Sequence, residues 1–175
     1  MRLTDDDFSL FGLPRRQAQQ RAEIDARWKA LQAQVHPDKF AAEGASAQRL
    51  AMQWALRVNE AHQRLRDPLR RAAYLCELQG APIQANENTR MPASFLMEQM
   101  EWRESLDDAA NLAAVQALDG EVAVREKALL DEAGRLLDEA GDAPAAAERV
   151  RALMFIAKFR SDIDKRLEAL EEQDL

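Results

Sequence analysis

Four consecutive residues, His36, Pro37, Asp38 and Lys39, bring an imidazole, a carboxylate and an ammonium group together in one short segment. An imidazole beside a carboxylate can perform general acid–base catalysis, and the same groups can form hydrogen bonds with a partner protein. No nucleophilic side chain adjoins them, and the sequence shows neither a second acid–base pair nor a cluster of metal-ligating residue types. We therefore expect a protein that is not an enzyme. From these residues alone, the segment either ends a helix and forms a turn or presents its polar groups to a partner.

An amphipathic helix is predicted on each side of this segment. Apolar residues recur at helical spacing in both, namely Ile24, Trp28, Leu31 and Val35 before it and Leu50, Trp54, Val58, Ala61 and Leu65 after it. Each stripe covers one side of a helix, so the two helices are expected to pack antiparallel across a loop of about ten residues. Pro37 ends the first helix because it disfavours helical geometry at His36 and lacks an N–H group. The polar residues are then exposed at the tip of a helical hairpin.

The composition is that of an all-α protein. Of 175 residues, 47% are hydrophobic but only 6% aromatic, and Gly and Pro are few. No apolar stretch approaches the roughly 18 residues that span a bilayer, and the acidic N-terminus lacks the apolar core of a signal peptide. These patterns predict a cytoplasmic protein with no membrane partner. The single cysteine, Cys76, excludes an internal disulfide, and we interpret it as a small buried hydrophobic residue.

Turn-forming residues without periodicity occupy positions 79–91 and divide the predicted helices into two groups. We predict an N-terminal domain over 1–78, a linker over 79–91 and a C-terminal domain over 92–175, whose three helices form an antiparallel bundle. The first helix is expected to begin at Thr4, with a capping box that ends at Asp7. The second is expected to begin near Ala18, and the fourth at Asp67-Pro68, an N-cap followed by proline.

Charge is distributed unevenly along the chain. Residues 1–75 contain 13 Lys and Arg against 9 Asp and Glu, whereas residues 76–175 contain 11 against 22. The two halves are therefore expected to meet different partners. The strongly acidic second half argues against nucleic acid as the main ligand, because phosphates would be repelled.

The order of motifs in residues 1–76 resembles the J domain, the module that activates the ATPase of DnaK-class chaperones. The matching parts are Phe8-Ser9-Leu10-Phe11-Gly12-Leu13 in the first helix, His36-Pro37-Asp38 after the second, Asn59-Glu60-Ala61-His62-Gln63-Arg64-Leu65 in the third, and Arg70-Arg71-Ala72-Ala73-Tyr74 beyond it. The resemblance implies that the chain binds such a chaperone and shifts it toward ATP hydrolysis. The chaperone-binding residues that it implies are His36, Pro37, Asp38, Lys39, Arg27 and Lys29.

The basic face of the second helix is weaker than in many J domains. Arg27 and Lys29 supply positive charge, but Glu23 and Asp25 dilute it. This departure indicates weaker electrostatic steering or a specialised chaperone partner.

The helix predicted over 92–108 is apolar on more than one side. Phe95, Gln99, Trp102 and Leu106 form one stripe, which we expect to face the bundle. A second apolar group points elsewhere, together with two carboxylates, and consists of Leu96, Met97, Met100, Glu101 and Glu104. Methionine suits adaptable binding surfaces, so we interpret this face as a protein-binding surface. The alternative, in which Leu96 and one methionine are buried in a broad core, stays open.

Residues 92–104, Pro-Ala-Ser-Phe-Leu-Met-Glu-Gln-Met-Glu-Trp-Arg-Glu, resemble the start of the C-terminal domain of HscB, the co-chaperone family of iron–sulfur cluster assembly. This resemblance implies an HscA-type chaperone and an IscU-like scaffold as partners, and no cofactor of the chain's own. The scaffold-binding residues that it implies are Leu96, Met97, Met100, Glu101, Glu104 and Phe155.

Three other interpretations compete with this one. A J-domain co-chaperone with a different client would share residues 1–76. A helix-turn-helix protein would use the positive first half to bind nucleic acid, but the chain lacks a helix with clustered basic and amide residues. An enzyme with a carboxylate site at Glu98, Glu101 and Glu104 lacks a nearby His or Cys to complete a metal site.

Overall fold

All regular structure is helical in residues 1–173, the part of the chain that the computed structural model describes. The helices are α1 (Asp7–Phe11), α2 (Arg21–Val35), a 3-10 helix η1 (Pro37–Glu43), α3 (Ala45–Arg66), α4 (Pro68–Leu78), α5 (Ala93–Asp108), α6 (Leu112–Asp138) and α7 (Ala143–Gln173). The predicted all-α class is therefore confirmed. Over these residues no helix is both long and apolar enough to cross a membrane.

The chain forms two compact units, Met1–Leu75 and Cys76–Leu175, and the division falls inside α4. The domain limits drawn from the sequence, 1–78, 79–91 and 92–175, stay a prediction about domain organisation.

In the first unit, α2 and α3 form the predicted antiparallel hairpin. Two pairs of residues show that the helices are antiparallel. Asp25 of α2 bonds His62 of α3, whereas Trp28, which comes later in α2, bonds Asn59, which comes earlier in α3. The apolar core between the helices is fully buried and includes Ile24, Val58, Ala61 and Leu65. The hairpin is thus held by a continuous apolar contact with polar bonds beside it.

The start of α1 differs from the prediction. The N-cap is Asp6, whose carboxylate accepts hydrogen bonds from the N–H and the hydroxyl of Ser9. Asp7 is fully buried and forms ion pairs of 2.8 and 2.6 Å with two arginines of α3, Arg57 and Arg64. The capping box from Thr4 to Asp7 is therefore wrong, because the Asp7 carboxylate is taken up by cations distant in sequence.

The start of α2 is also later than predicted, at Arg21 instead of Ala18. The preceding residues are tied to the beginning of α4. The side-chain amide of Gln17 donates to the carbonyl of Pro68 at 2.9 Å, and Arg71 donates to the carbonyl of Gln17 at 2.9 Å. These tertiary bonds hold the segment outside the helix.

The start of α4 follows the prediction. The Asp67 carboxylate accepts hydrogen bonds from the N–H groups of Leu69 and Arg70, so it caps α4 as expected. Before α7, Gly141 adopts the left-handed conformation at φ 64° and Asp142 accepts from the N–H of Ala145. A short polar side chain one turn before its backbone partner needs no tertiary context.

The second unit is built on α5, α6 and α7, the predicted three-helix bundle. An aromatic cluster joins α5 to α7, with ring-centroid distances of 5.8 Å for Phe95–Trp102, 5.9 Å for Phe95–Phe155 and 6.1 Å for Trp102–Phe159. Edge-to-face and stacked pairs at these distances contribute beyond the area they bury. The face of α5 that was expected to meet the bundle therefore does so.

The segment before α5 is attached to the bundle by one buried side chain. Arg151 of α7 donates from Nε to the carbonyl of Arg90 at 2.7 Å and from NH1 to the carbonyl of Ile83 at 3.1 Å. Cys76, at the other end of this segment, is fully buried, and burial raises the pKa of its thiol to about 11.

Candidate functional site

The His-Pro-Asp segment forms an exposed tip at the end of α2. His36 has an extended backbone and ends the helix, and Pro37 is the first residue of η1. The side chains of His36 and Asp38 are 56% and 92% exposed. Lys39 is exposed as well. The groups that could bond a partner are therefore presented to solvent.

Local hydrogen bonds fix the shape of this tip. The Nδ1 atom of His36 accepts a hydrogen bond from the N–H of Asp38 at 3.3 Å, and the N–H of Lys39 donates to the carbonyl of His36 at 3.0 Å. The imidazole thus acts as the N-cap of η1, a short 3-10 helix that replaces the loop expected from the sequence. Together with the restricted φ of Pro37, these bonds limit the freedom that a partner has to remove on binding.

The two basic residues of α2 are both on its surface. Arg27 is exposed and lies 3.6 Å from Glu23, one turn earlier on the same helix. Lys29 is exposed without an ion pair in the described part of the chain. Exposed pairs of this type contribute little to stability, so Arg27 remains available for exchange with a partner's carboxylate.

A polar cluster between α2 and α3 was not foreseen from the sequence. Nε2 of His62 lies 2.7 Å from Oδ1 of Asp25, and the imidazole stacks on Trp28 with 4.2 Å between ring centroids. Nε1 of Trp28 donates to Oδ1 of Asn59 at 2.9 Å. The hydrogen bond with His62 lowers the pKa of Asp25. The sequence feature that could have predicted this cluster is the position of Asp25, Asn59 and His62, which lie beside the apolar stripes of α2 and α3.

The second apolar face of α5 is open to solvent. Leu96, Met97 and Met100 are 49%, 68% and 73% exposed, respectively. Glu101 and Glu104 are exposed on the same helix. The alternative in which Leu96 and a methionine are buried is therefore wrong. An exposed apolar group of this size beside carboxylates is typical of a protein-binding surface.

Phe155 of α7 lies next to this face. It lines a groove of about 540 Å³ together with Met100, Glu104 and Arg103 of α5. The structure thus brings Phe155 into one site with two of the α5 residues singled out from the sequence. Arg103 was not singled out, and its guanidinium is held over Phe159 at 5.0 Å and against Asp162 at 3.2 Å.

The three carboxylates considered for an enzyme are not equivalent. Both Oε atoms of Glu98 lie 3.0 Å from Nε of Arg125 on α6, so this carboxylate forms an ion pair with the bundle. Glu101 and Glu104 line an open groove. In the described part of the chain, no three side chains of His, Cys, Asp or Glu are placed to hold a metal ion.

An antiparallel helical hairpin with an exposed His-Pro-Asp tip, followed by a helical bundle, defines the class of J-domain co-chaperones. A family model described as the HSCB C-terminal oligomerisation domain matches residues 91–164. A Co-chaperone protein HscB homolog from Burkholderia multivorans is 51% identical over 172 residues, which are 97% of this chain and 98% of that protein.

Solved structures agree with this match. Chaperone HscB from Vibrio cholerae has a TM-score of 0.81 and 35% identity, with 95% of this chain and 99% of that chain covered. The human co-chaperone protein HscB has a TM-score of 0.86 and 28% identity, with coverage of 93% and 82%. The chain belongs to the HscB family of co-chaperones.

Proposed function

We propose that this chain is a co-chaperone of iron–sulfur cluster biogenesis with two binding surfaces. The first stimulates the ATPase of an HscA- or DnaK-class chaperone, and the second delivers an IscU-like scaffold to that chaperone. The family assignment identifies the chain as a co-chaperone, and the proposal adds its two partners, the chaperone and the scaffold.

The chaperone surface comprises His36, Pro37, Asp38 and Lys39 at the tip, with Arg27 and Lys29 on α2. The observation that carries this part is the exposure of His36 and Asp38 on a tip whose backbone is fixed by its own hydrogen bonds. The chain needs no catalytic group of its own under this proposal. Stimulation arises because the tip binds the hydrolysis-competent state of the chaperone more tightly than its other states.

The scaffold surface comprises Leu96, Met97, Met100, Glu101 and Glu104 on α5, with Phe155 on α7. The exposed apolar side chains supply area for burial, and the carboxylates complement a basic rim on the scaffold. Phe155 contacts Phe95 edge to face, so its ring is held in place before the scaffold arrives.

A pair of variants tests both surfaces in one experiment. His36→Gln should abolish stimulation of the chaperone ATPase and leave scaffold binding unchanged, because the tip alone is altered. Replacing Leu96, Met97 and Met100 together by Ala should weaken scaffold binding by about 3 kcal/mol, or roughly a hundredfold. It should leave the stimulation measured without scaffold unchanged. Steady-state ATPase assays and isothermal titration calorimetry provide the two measurements.

Val124→Ala is the matched control for the second variant, since Val124 is 73% exposed on α6 and lies outside the proposed surface. Thermal unfolding followed by circular dichroism should be the same for all variants. Unchanged stimulation by His36→Gln contradicts the chaperone surface. Retained scaffold binding by the triple variant contradicts the scaffold surface and leaves a J-domain co-chaperone with another client.

A further inference from the structure

An apolar cavity of about 360 Å³ lies beside the tip that carries His36 and Asp38. It is bordered by the end of α2, by η1, by the first half of α3 and by Met1 of the N-terminal segment, and it is partly open to solvent. Its apolar walls come from Met1, Val35, Phe40, Ala47, Leu50, Ala51 and Trp54, and Gln34 and Glu43 complete the lining. None of these residues belongs to either surface proposed above, so the cavity has no assigned role.

The cavity exists because the two helices of the hairpin differ in length. α3 has 22 residues and α2 has 15, so α3 is longer by about 10 Å at the rise of an α-helix. The 3-10 helix η1 covers the extra length of α3 only in part. The apolar stripe of α3 continues past the point where α2 ends, which leaves its first members without a full partner.

Leu50 shows the result directly. It is the first residue of the stripe that the sequence predicted to pack against α2, yet its side chain is 51% exposed. Leu50 also lines the cavity, so an exposed leucine stands at the rim of an apolar space. The volume is within the range of pockets that enclose small ligands, and is sufficient for one apolar side chain of a partner.

The position of the cavity identifies the partner. Val35 immediately precedes His36, and Phe40 immediately follows Lys39, so the cavity walls continue directly into the tip. A protein bound to His36 and Asp38 therefore lies next to residues of the cavity wall. Glu43, which is exposed and lines the cavity as well, favours a cationic residue beside the incoming apolar one.

We propose that this cavity receives an apolar side chain from the segment of the DnaK-class chaperone that contacts the His-Pro-Asp tip, with a basic residue of that segment placed against Glu43. The inference rests on the chaperone-stimulating function proposed above. It adds a second, apolar anchor to a contact that is otherwise polar. Such an anchor strengthens binding of the chaperone without requiring dense positive charge on α2.

Two variants of the full chain test the cavity by different changes. Leu50→Gln makes the rim polar, and Ala47→Phe fills the space with a ring. Each should raise the concentration of the chain that gives half-maximal stimulation of the chaperone ATPase by at least tenfold. Leu56→Gln is the matched control, because Leu56 is 61% exposed on the same helix but does not line the cavity. It should change this concentration by less than twofold.

The outcomes separate this inference from the function on which it rests. If the unmodified chain stimulates the ATPase and His36→Gln does not, while Leu50→Gln and Ala47→Phe behave as Leu56→Gln does, only the cavity inference is overturned. Absence of stimulation by the unmodified chain overturns the chaperone-stimulating function itself. Light scattering provides a further check, since a change in molecular mass on Leu50→Gln would mean that a second copy of the chain occupies the cavity, which overturns the inference.

Discussion

His62 illustrates how a single polar residue can define the packing of two helices. Its side chain is buried, bonded to Asp25 and stacked on Trp28, while Asn59, one turn earlier, bonds the indole of the same tryptophan. Apolar contacts alone permit small slides of one helix along another. These directional bonds favour one register of α2 on α3, and therefore one placement of the tip at the end of α2.

We predict that His62→Ala lowers the free energy of unfolding by about 2 to 3 kcal/mol, because the buried imidazole is lost, the half-buried ring of Trp28 loses its stacking partner and Asp25 loses its hydrogen bond. Urea unfolding of the full chain gives the change. In a double-mutant cycle with Asp25→Ala, the effects of the two substitutions should not add, because each removes the same contact.

Gln63→Ala is the control for this cycle, since Gln63 is the exposed neighbour of His62 on α3. It should show no coupling to Asp25→Ala within error. Additive effects of His62→Ala and Asp25→Ala would mean that the 2.7 Å contact makes no contribution of its own to stability.

The sequence predicts which α5 residues are exposed but not which polar residues are buried. A helix turns by a fixed angle at each residue, so spacing places Leu96, Met97 and Met100 away from the stripe that faces the bundle, and the structure shows that this side is open to solvent. The burial of Asp7 depends on Arg57 and Arg64, which lie 50 and 57 residues further along the chain. Local patterns contain no information about such partners.

At the level of elements, the segment between α4 and α5 is bound to the bundle. Ile83 is buried, and Arg151 bonds two carbonyl groups of the segment, at Ile83 and Arg90. Composition alone indicated a linker, because Gly80, Asn86 and similar residues favour turns. The attachment comes from one arginine of α7, which lies 61 residues after Arg90.

We predict that Arg151→Met releases this segment, because the substitution keeps the aliphatic bulk but removes both hydrogen bonds. Amide hydrogen exchange in residues 81–91 should accelerate by at least tenfold, whereas exchange in the middle of α6 should be unchanged. Arg160→Met is the control, since Arg160 lies on the same helix and pairs with Asp119 and Glu126 of α6. Equal protection in both variants would contradict the role given to Arg151.

A local signal predicted the start of α4 but not that of α1. The Asp67 cap and its helix are adjacent in sequence, whereas the carboxylate of Asp7 pairs with arginines that are distant in sequence. The 3-10 helix η1 was expected to be an irregular loop. A 3-10 helix has about three residues per turn, and a run of seven residues is too short to display a periodic pattern.

For the whole molecule, the unequal charge of its two halves affects how partner binding depends on salt. Residues 1–75 are positive and residues 76–175 are strongly negative. The exposed carboxylates of the proposed scaffold surface lie within the negative part. Exposed charges are screened at high ionic strength, so a contact that depends on them weakens when salt is added.

We predict that scaffold binding weakens by at least fivefold when the salt concentration rises from about 0.05 M to about 0.5 M, over which the screening length falls severalfold. The double variant Glu101→Gln with Glu104→Gln should bind less tightly at low salt and lose most of this salt dependence. Calorimetric titration at several salt concentrations measures both quantities. If the affinity of the double variant fell with salt concentration as steeply as that of the unmodified chain, the salt dependence would come from other charges.

The burial of the Cys76 thiol affects which protein can ligate an iron–sulfur cluster. Iron–sulfur clusters are held by thiolates, and burial keeps Cys76 protonated at neutral pH, with a pKa of about 11. Cys76 is the only cysteine of the chain. Under the proposed function, a cluster held by the scaffold therefore meets no competing thiolate on its carrier. Ligand exchange from scaffold to carrier is then suppressed, and the cluster stays with the scaffold until a recipient supplies ligands of its own.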